Sequence, residues 1–292
     1  METLLAHSFD YLSSHEPSKV RKGLRQVEGL LAQICLSKPV SKSPPDRRRS
    51  HLAVESQPVP KALIDLHDDP AFREFFKLQE SFQWNVAMRL VSCLEHLLGR
   101  GSNGTNDMLI VCTLDLIQGA LLLHPPSRTL FAREIYMNLL LDLLDPINCP
   151  AIQSSTLLTL VTALLDCPAN TRTFEDLDGL LTVTSLFKQR ATSREVKLKL
   201  VEFLYFYLMP ETPILGPGSA PISSPPGLQR SPSKLSSRPM SQHSHSPVAA
   251  AKIARDTRTT DEKQALLGRY LNNVEDLVED LKETAPFGAT VY

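Results

Sequence analysis

Displacing this sequence by 43 positions lays one stretch of the chain over another, and that self-similarity constrains the fold more than any motif does. Thr113 falls on Thr156, Leu114 on Leu157, Ile117 on Leu160, Leu121 on Leu164 and Leu122 on Leu165. The match continues with Pro125 on Pro168, Phe131 on Phe174, Tyr136 on Gly179, Met137 on Leu180, Leu143 on Leu186 and Leu144 on Phe187. A leucine-rich helical chain produces some coincidences of this kind. Here, however, the prolines that punctuate helices superpose along with the leucines that fill them. A period of roughly 40 to 47 residues, built from helices with Pro or Gly between them, belongs to armadillo and HEAT repeats. One such unit cannot bury its own apolar faces, so units stack. The expected fold is all-α: an armadillo/HEAT-like helical repeat stack with disordered insertions and a C-terminal amphipathic helix.

Punctuation places the remaining elements. The spacing predicts helices at 71–98, 106–123, 128–144, 151–165, 170–188 with a break near Asp178-Gly179, and 194–208, all within a core spanning 61–209. Gly opens left-handed conformations and Pro removes an amide donor, so Gly99 to Gly104, Pro125-Pro126, Pro146 and Pro168 mark the joints. Residues 1–36 read as N-terminal capping helices, broken at Ser13-Ser14 and restarted with Pro17 in the first helical turn. Leu24, Val27, Leu30, Leu31 and Ile34 recur there at spacings of three and four, a stripe that requires a partner. Residues 37–60, with five prolines around Arg47-Arg48-Arg49, are expected to be a disordered loop. Residues 210–259 form a Pro/Ser/Gly-rich linker with too little apolar surface to offset the entropy of folding.

After the linker, 260–284 reads as one helix running to about residue 283, with Thr260 as its N-cap, and 285–292 as a tail. Leu267, Tyr270, Leu271, Val274 and Leu281 lie on an apolar stripe opposite an acidic face. They are the expected contacts by which this helix docks on the core or on a partner. A self-associating coiled coil is disfavoured because sustained a and d positions are not kept.

The sequence offers little chemistry. With 31 basic and 32 acidic side chains the charge is balanced, so no global field draws the chain to nucleic acid. Apolar runs are interrupted well short of the roughly 20 residues of a membrane helix, so no membrane insertion is expected. The N-terminus lacks the pattern of a signal peptide, and the five cysteines include no CxxC pair, which points to a cytosolic or nuclear chain. Gly99 to Gly104 has no preceding strand and no following Lys-Ser/Thr, so it reads as a loop between helices rather than a phosphate cradle. The eight histidines are scattered without metal spacing. Cys149-Pro150 and Cys167-Pro168 stand at helix boundaries in a leucine-rich core, where burial outweighs a nucleophile reading. Glu175, Asp176 and Asp178, and likewise Asp65, Asp68 and Asp69, read as helix caps or solvated carboxylates. No catalytic, cofactor or metal residue is assigned, and no cofactor is expected. The expected modification sites are Ser43, Ser224, Ser231 and Ser246, each before proline, and Ser50 and Ser241, each three residues after an arginine.

Several segments carry a resemblance: Leu130 to Glu134, the run Leu139 to Asp145, Asn170 to Phe187, Lys199 to Leu208, and the stretch from Glu262-Lys263 to Pro286-Phe287-Gly288. Together they are similar to the fungal cell division control protein fourteen family of the septation initiation network, which is unrelated to the phosphatase sharing its name. The resemblance implies a non-catalytic partner that activates a germinal-centre-class Ser/Thr protein kinase. It also implies residence at the spindle pole body among scaffold proteins, and a role in septum formation and cytokinesis. A structural adaptor that tethers components without changing kinase rate is the alternative. The resemblance assigns no kinase-contact residue.

Overall fold

Residues with a strong preference for helix starts set the joints of this molecule, and the leucine stripes between them set the packing. The computed structural model describes residues 1–36, 60–99, 104–211, 257–276 and 279, without the side chains of Leu63 and Ile64. Helix α1 spans Glu2–Leu12 and α2 Pro17–Cys35, with Pro17 at the start of α2. The whole stripe Leu24, Val27, Leu30, Leu31 and Ile34 is buried. The two helices cross closely at Gly23, where a Cβ would lie 3.0 Å from both the Leu12 nitrogen and the Ser8 carbonyl oxygen. There follow α3 (Leu63–Asp68), α4 (Pro70–Gln79) and α5 (Val86–Leu98). A single helix over 71–98 is not what forms. The Asn85 side chain accepts from the Met88 amide to cap α5, and the Gln79 Oε1 accepts from Val86 N–H at 2.7 Å, so a capped turn separates α4 from α5.

The repeat then appears in three dimensions. In the first unit α6 (Asp107–Leu123) is followed by a 3-10 helix at Pro125–Ala132 and by α7 (Glu134–Asp142). In the second, α8 (Pro150–Leu164) is followed by α9 (Pro168–Asp176) and α10 (Gly179–Lys188). The segment expected as one helix over 128–144 is therefore a 3-10 turn plus a helix, matching the α9–α10 break. That break rests on Asp178, whose φ of 57° is left-handed, and on Gly179, where a Cβ would overlap the Phe174 ring. The equivalent Thr113 and Thr156 are both buried and bond back to the carbonyls of Leu109 and Ile152, at 2.6 and 2.7 Å. These two buried hydroxyls are satisfied inside their own helices, so neither opposes the packing of α6 on α8. Polar rungs tie the units together. The Asn170 amide donates to the carbonyls of Ala163 (2.6 Å) and Arg128 (2.7 Å), and Arg128 Nη1 donates to the Leu165 carbonyl at 2.9 Å.

Helix α8 is the centre of the stack, packed against α6 on one side and α11 (Arg194–Leu208) on the other, while α2 and α5 cover α6. Among the described residues the structure is all-α, a helical-repeat stack of the armadillo/HEAT kind, apart from an isolated antiparallel bridge between Leu36 and Pro60. Helix α11 stands one period after α8 and begins a third unit. Its second helix is α12 (Thr260–Leu267), which packs on α11 from across residues 212–256. Thr259, not Thr260, caps α12. Its hydroxyl accepts from Glu262 N–H at 3.3 Å while the Glu262 carboxylate accepts from Thr259 N–H at 2.8 Å, a complete capping box. Nor does one helix run over 260–283. Helix α12 ends at Leu267, residues 268–273 turn, and helix resumes at Val274. The turn forms because Gly268 has weak helix propensity, and the amides of Arg269, Tyr270 and Leu271 fold back onto the carbonyls of Leu266 and Leu267.

Candidate partner-binding site

The described residues that flank 212–256 meet at one point on the stack. Glu211 N–H donates to the Arg258 carbonyl at 3.2 Å, and Arg258 N–H donates to Glu211 Oε2 at 3.0 Å. Around this closure sit three cations and two carboxylates. Arg172 of α9 donates to Glu211 Oε1 at 2.5 Å, and the Lys263 ammonium of α12 lies 3.1 Å from the same oxygen. Lys263 also donates to the Met209 carbonyl at 2.9 Å, meeting the negative end of α11. Arg258 Nη1 stands 2.7 Å from Glu175 Oε2, and the Tyr207 hydroxyl donates to Glu175 Oε1 at 2.7 Å. The side chains of Glu175, Glu211 and Lys263 are 7%, 9% and 5% exposed.

At that depth the electrostatics are governed by desolvation. Burial pushes the Glu175 carboxyl above its ordinary range, although Tyr207, Arg172 and Arg258 pull the other way. Burial likewise holds the Lys263 ammonium below its ordinary range, against the pull of Glu211, and drives the Tyr207 phenol far upward. Glu175 is thus neither a cap nor a solvated carboxylate. It is half of a buried ionic clasp, and Arg172, Glu211, Arg258 and Lys263 have no local sequence signal to reveal them. The only hint is the Glu262 capping box, which fixes where the chain re-enters.

Of the side chains expected to dock, Leu267, Leu271 and Val274 are buried, and Tyr270 is half-buried with its carbonyl accepting from Lys188 at 2.5 Å. Leu281 lies outside the described residues, as do Ser43, Ser50, Ser224, Ser231, Ser241 and Ser246. The other residues weighed for chemistry are structural. Cys149 and Cys167 stand at the starts of α8 and α9, and burial raises the Cys167 thiol, which disfavours the nucleophilic thiolate. His124 is buried, with Nδ1 2.8 Å from the Ser127 hydroxyl and the edge of its ring toward Phe76. Asp69 caps α4 by accepting from Ala71 N–H at 2.7 Å. Among the described residues no group of three or more His, Cys, Asp or Glu is placed to hold a metal ion. No described helix is long and apolar enough to cross a membrane.

The surface instead offers grooves between helices. One of about 350 Å³ lies between α2 and α6, beside the exposed Met108. Another of about 440 Å³ runs between α7 and α10.

Comparison with known proteins bears on what such a surface serves. No solved structure matches this chain. A curated relative, "Cell division control protein 14" of Schizosaccharomyces pombe, is 31% identical over 298 residues, which cover 99% of this chain and 97% of that protein. The sequence model of the family described as "Cell division control protein 14, SIN component" matches residues 1–287, so the N-terminal helices, both repeat units and the interrupted third unit all fall within it. The chain belongs to the cell division control protein 14 family of SIN components.

Proposed function

We propose that this protein is a non-catalytic binding and activating subunit of a germinal-centre-class Ser/Thr protein kinase in the septation initiation network, promoting septum formation and cytokinesis. The observation that carries the reading is the family match over residues 1–287. An all-helical stack with open inter-helical grooves supports it, because such stacks hold protein ligands along their length. In this reading the protein works at the spindle pole body among scaffold proteins, and the phosphatase sharing the family's name is unrelated. The clasp and α12 keep the third unit closed so that the stack presents one rigid face. Kinase activity measured with and without the purified subunit tests this. Stimulation of phosphate transfer by the subunit is the expected result, and undiminished activity without it contradicts activation. The adaptor reading, tethering without a change in rate, is distinguished by the same assay.

A further inference from the structure

The third helices of the two complete units, α7 and α10, wall a groove of about 440 Å³ whose floor is core, with Leu141, Leu144 and Leu186 buried, and whose rim is polar. On the α7 side stand Asn138 and Asp142, and in the turn after it Asp145. Ser185 and Gln189 stand on the α10 side. Asp145 accepts from Ile147 N–H at 2.8 Å and so shapes its own turn. The other four side chains make no hydrogen bond or ion pair with another described residue. Two carboxamides and a hydroxyl facing one another across a trough can accept from and donate to the backbone of an extended chain laid between them.

Two further features define what that chain carries. One apolar side chain of the groove is left partly in water, Leu181 at 45% exposure. An isolated exposed leucine needs no explanation by itself, but here it adds an apolar contact to a groove rimmed by unpaired polar side chains. The charge is also one-sided, since Asp142 and Asp145 line the groove, no Lys or Arg does, and neither carboxylate is ion-paired among the described residues. The groove between α2 and α6 lacks this bias, because Arg21 and Arg25 there face Glu28 and Asp115.

We propose that the α7–α10 groove binds an extended, lysine- or arginine-bearing segment of a partner protein. Asn138, Ser185 and Gln189 hold its backbone, Leu181 covers an apolar side chain, and Asp142 with Asp145 pairs its cation. This names a surface for the binding role proposed above and rests on that role, yet its failure can be told apart.

The probe is a labelled short peptide of alternating leucine and lysine, titrated into the full chain, with the leucine–glutamate peptide as control. Binding of the lysine peptide alone is expected. It should weaken by about tenfold or more in a D142K/L181K variant, which changes two exposed positions and leaves the Asp145 turn intact. A second variant, N138A/Q189A, keeps the charge and should also weaken binding. Equal binding of both peptides, or wild-type binding by both variants, overturns the proposal. An R47E/R48E/R49E variant tests occupancy by the chain's own basic run, and tighter peptide binding on that change would also overturn a partner-borne ligand. The kinase assay run on the same proteins separates the two ideas. A D142K/L181K protein that binds and activates the kinase like wild type removes the groove and spares the subunit role, whereas a wild-type protein without any effect on the kinase removes the role.

Discussion

The residues flanking 37–59 and those flanking 212–256 form two bases, joined in opposite electrostatic ways. The first base is a backbone bridge between Leu36 and Pro60, with Lys61 N–H donating to the Cys35 carbonyl at 2.8 Å and the Lys61 ammonium shared between the Ile34 carbonyl and Asp69. Lys61 holds the Asp69 carboxyl below its ordinary value of 3.8. The second base is the buried clasp, where desolvation lifts Glu175 above its ordinary value of 4.5 and depresses Lys263. A partly exposed pair keeps its carboxylate charged easily, while a buried network holds its charges only through dense mutual pairing. The first base therefore tolerates loss of a partner, and the second does not.

The sharpest break of that contrast is Glu211→Ala. Glu211 accepts from Arg172, Arg258 N–H and Lys263, so its removal leaves buried cations without their anion and should cost about 3 kcal/mol in chemical denaturation. Lys61→Ala at the other base should cost a clear fraction of that, and equal losses would erase the distinction. Glu175→Gln should also cost less than Glu211→Ala, because burial already opposes the Glu175 charge and the amide can still accept from Tyr207.

Acid separates the two bases by sign. Asp69 has a lowered folded pKa, so its contribution is in place above 3.8 and is lost as pH falls through the lower folded value. Asp69→Asn should flatten that acid limb of stability. Glu175 has a raised folded pKa, so the folded chain holds its proton more tightly, and stability falls as pH rises from 4.5 through the raised value. Glu175→Gln should remove this opposite slope. Unfolding midpoints at a series of pH values measure both.

How far these features were legible depends on whether their cause is local. Period, proline and the break at Asp178-Gly179 are local, and so the repeat, the division of the second unit, the α2 stripe and the bounds of α11 could be read, while the division of 128–144 was missed. The third unit was hidden because 212–256 interrupts its period between the first and second helices, so α12 looked like a free helix after a tether. The continuous reading of 260–283 followed its apolar stripe and underweighted Gly268. Leu267, Leu271 and Val274 were visible as apolar. The clasp was not, since Arg172, Glu175, Glu211 and Lys263 come together only across long sequence separations and each looks like an ordinary surface charge.

A smaller effect on stability is expected where residues 212–256 themselves are changed. Aspartate at Ser224, Ser231 and Ser246 should leave the unfolding midpoint nearly unchanged, since the segment's composition offers little apolar surface, while altering recruitment to the kinase or the spindle pole. A large loss of stability would mean that the segment contributes to the fold beyond its base.

The most direct test is hydrogen exchange of the intact protein at Gly268, Tyr270 and Leu271, whose amides donate to the carbonyls of Gln264, Leu267 and Leu267 at 2.8, 2.9 and 3.0 Å. If the third unit is completed by α12 within the same chain, these amides exchange slowly in the protein alone, in step with α11, and Glu211→Ala speeds them while leaving α6 and α8 protected. Exchange at the rate of a free peptide, with α8 and α11 still protected, would contradict it.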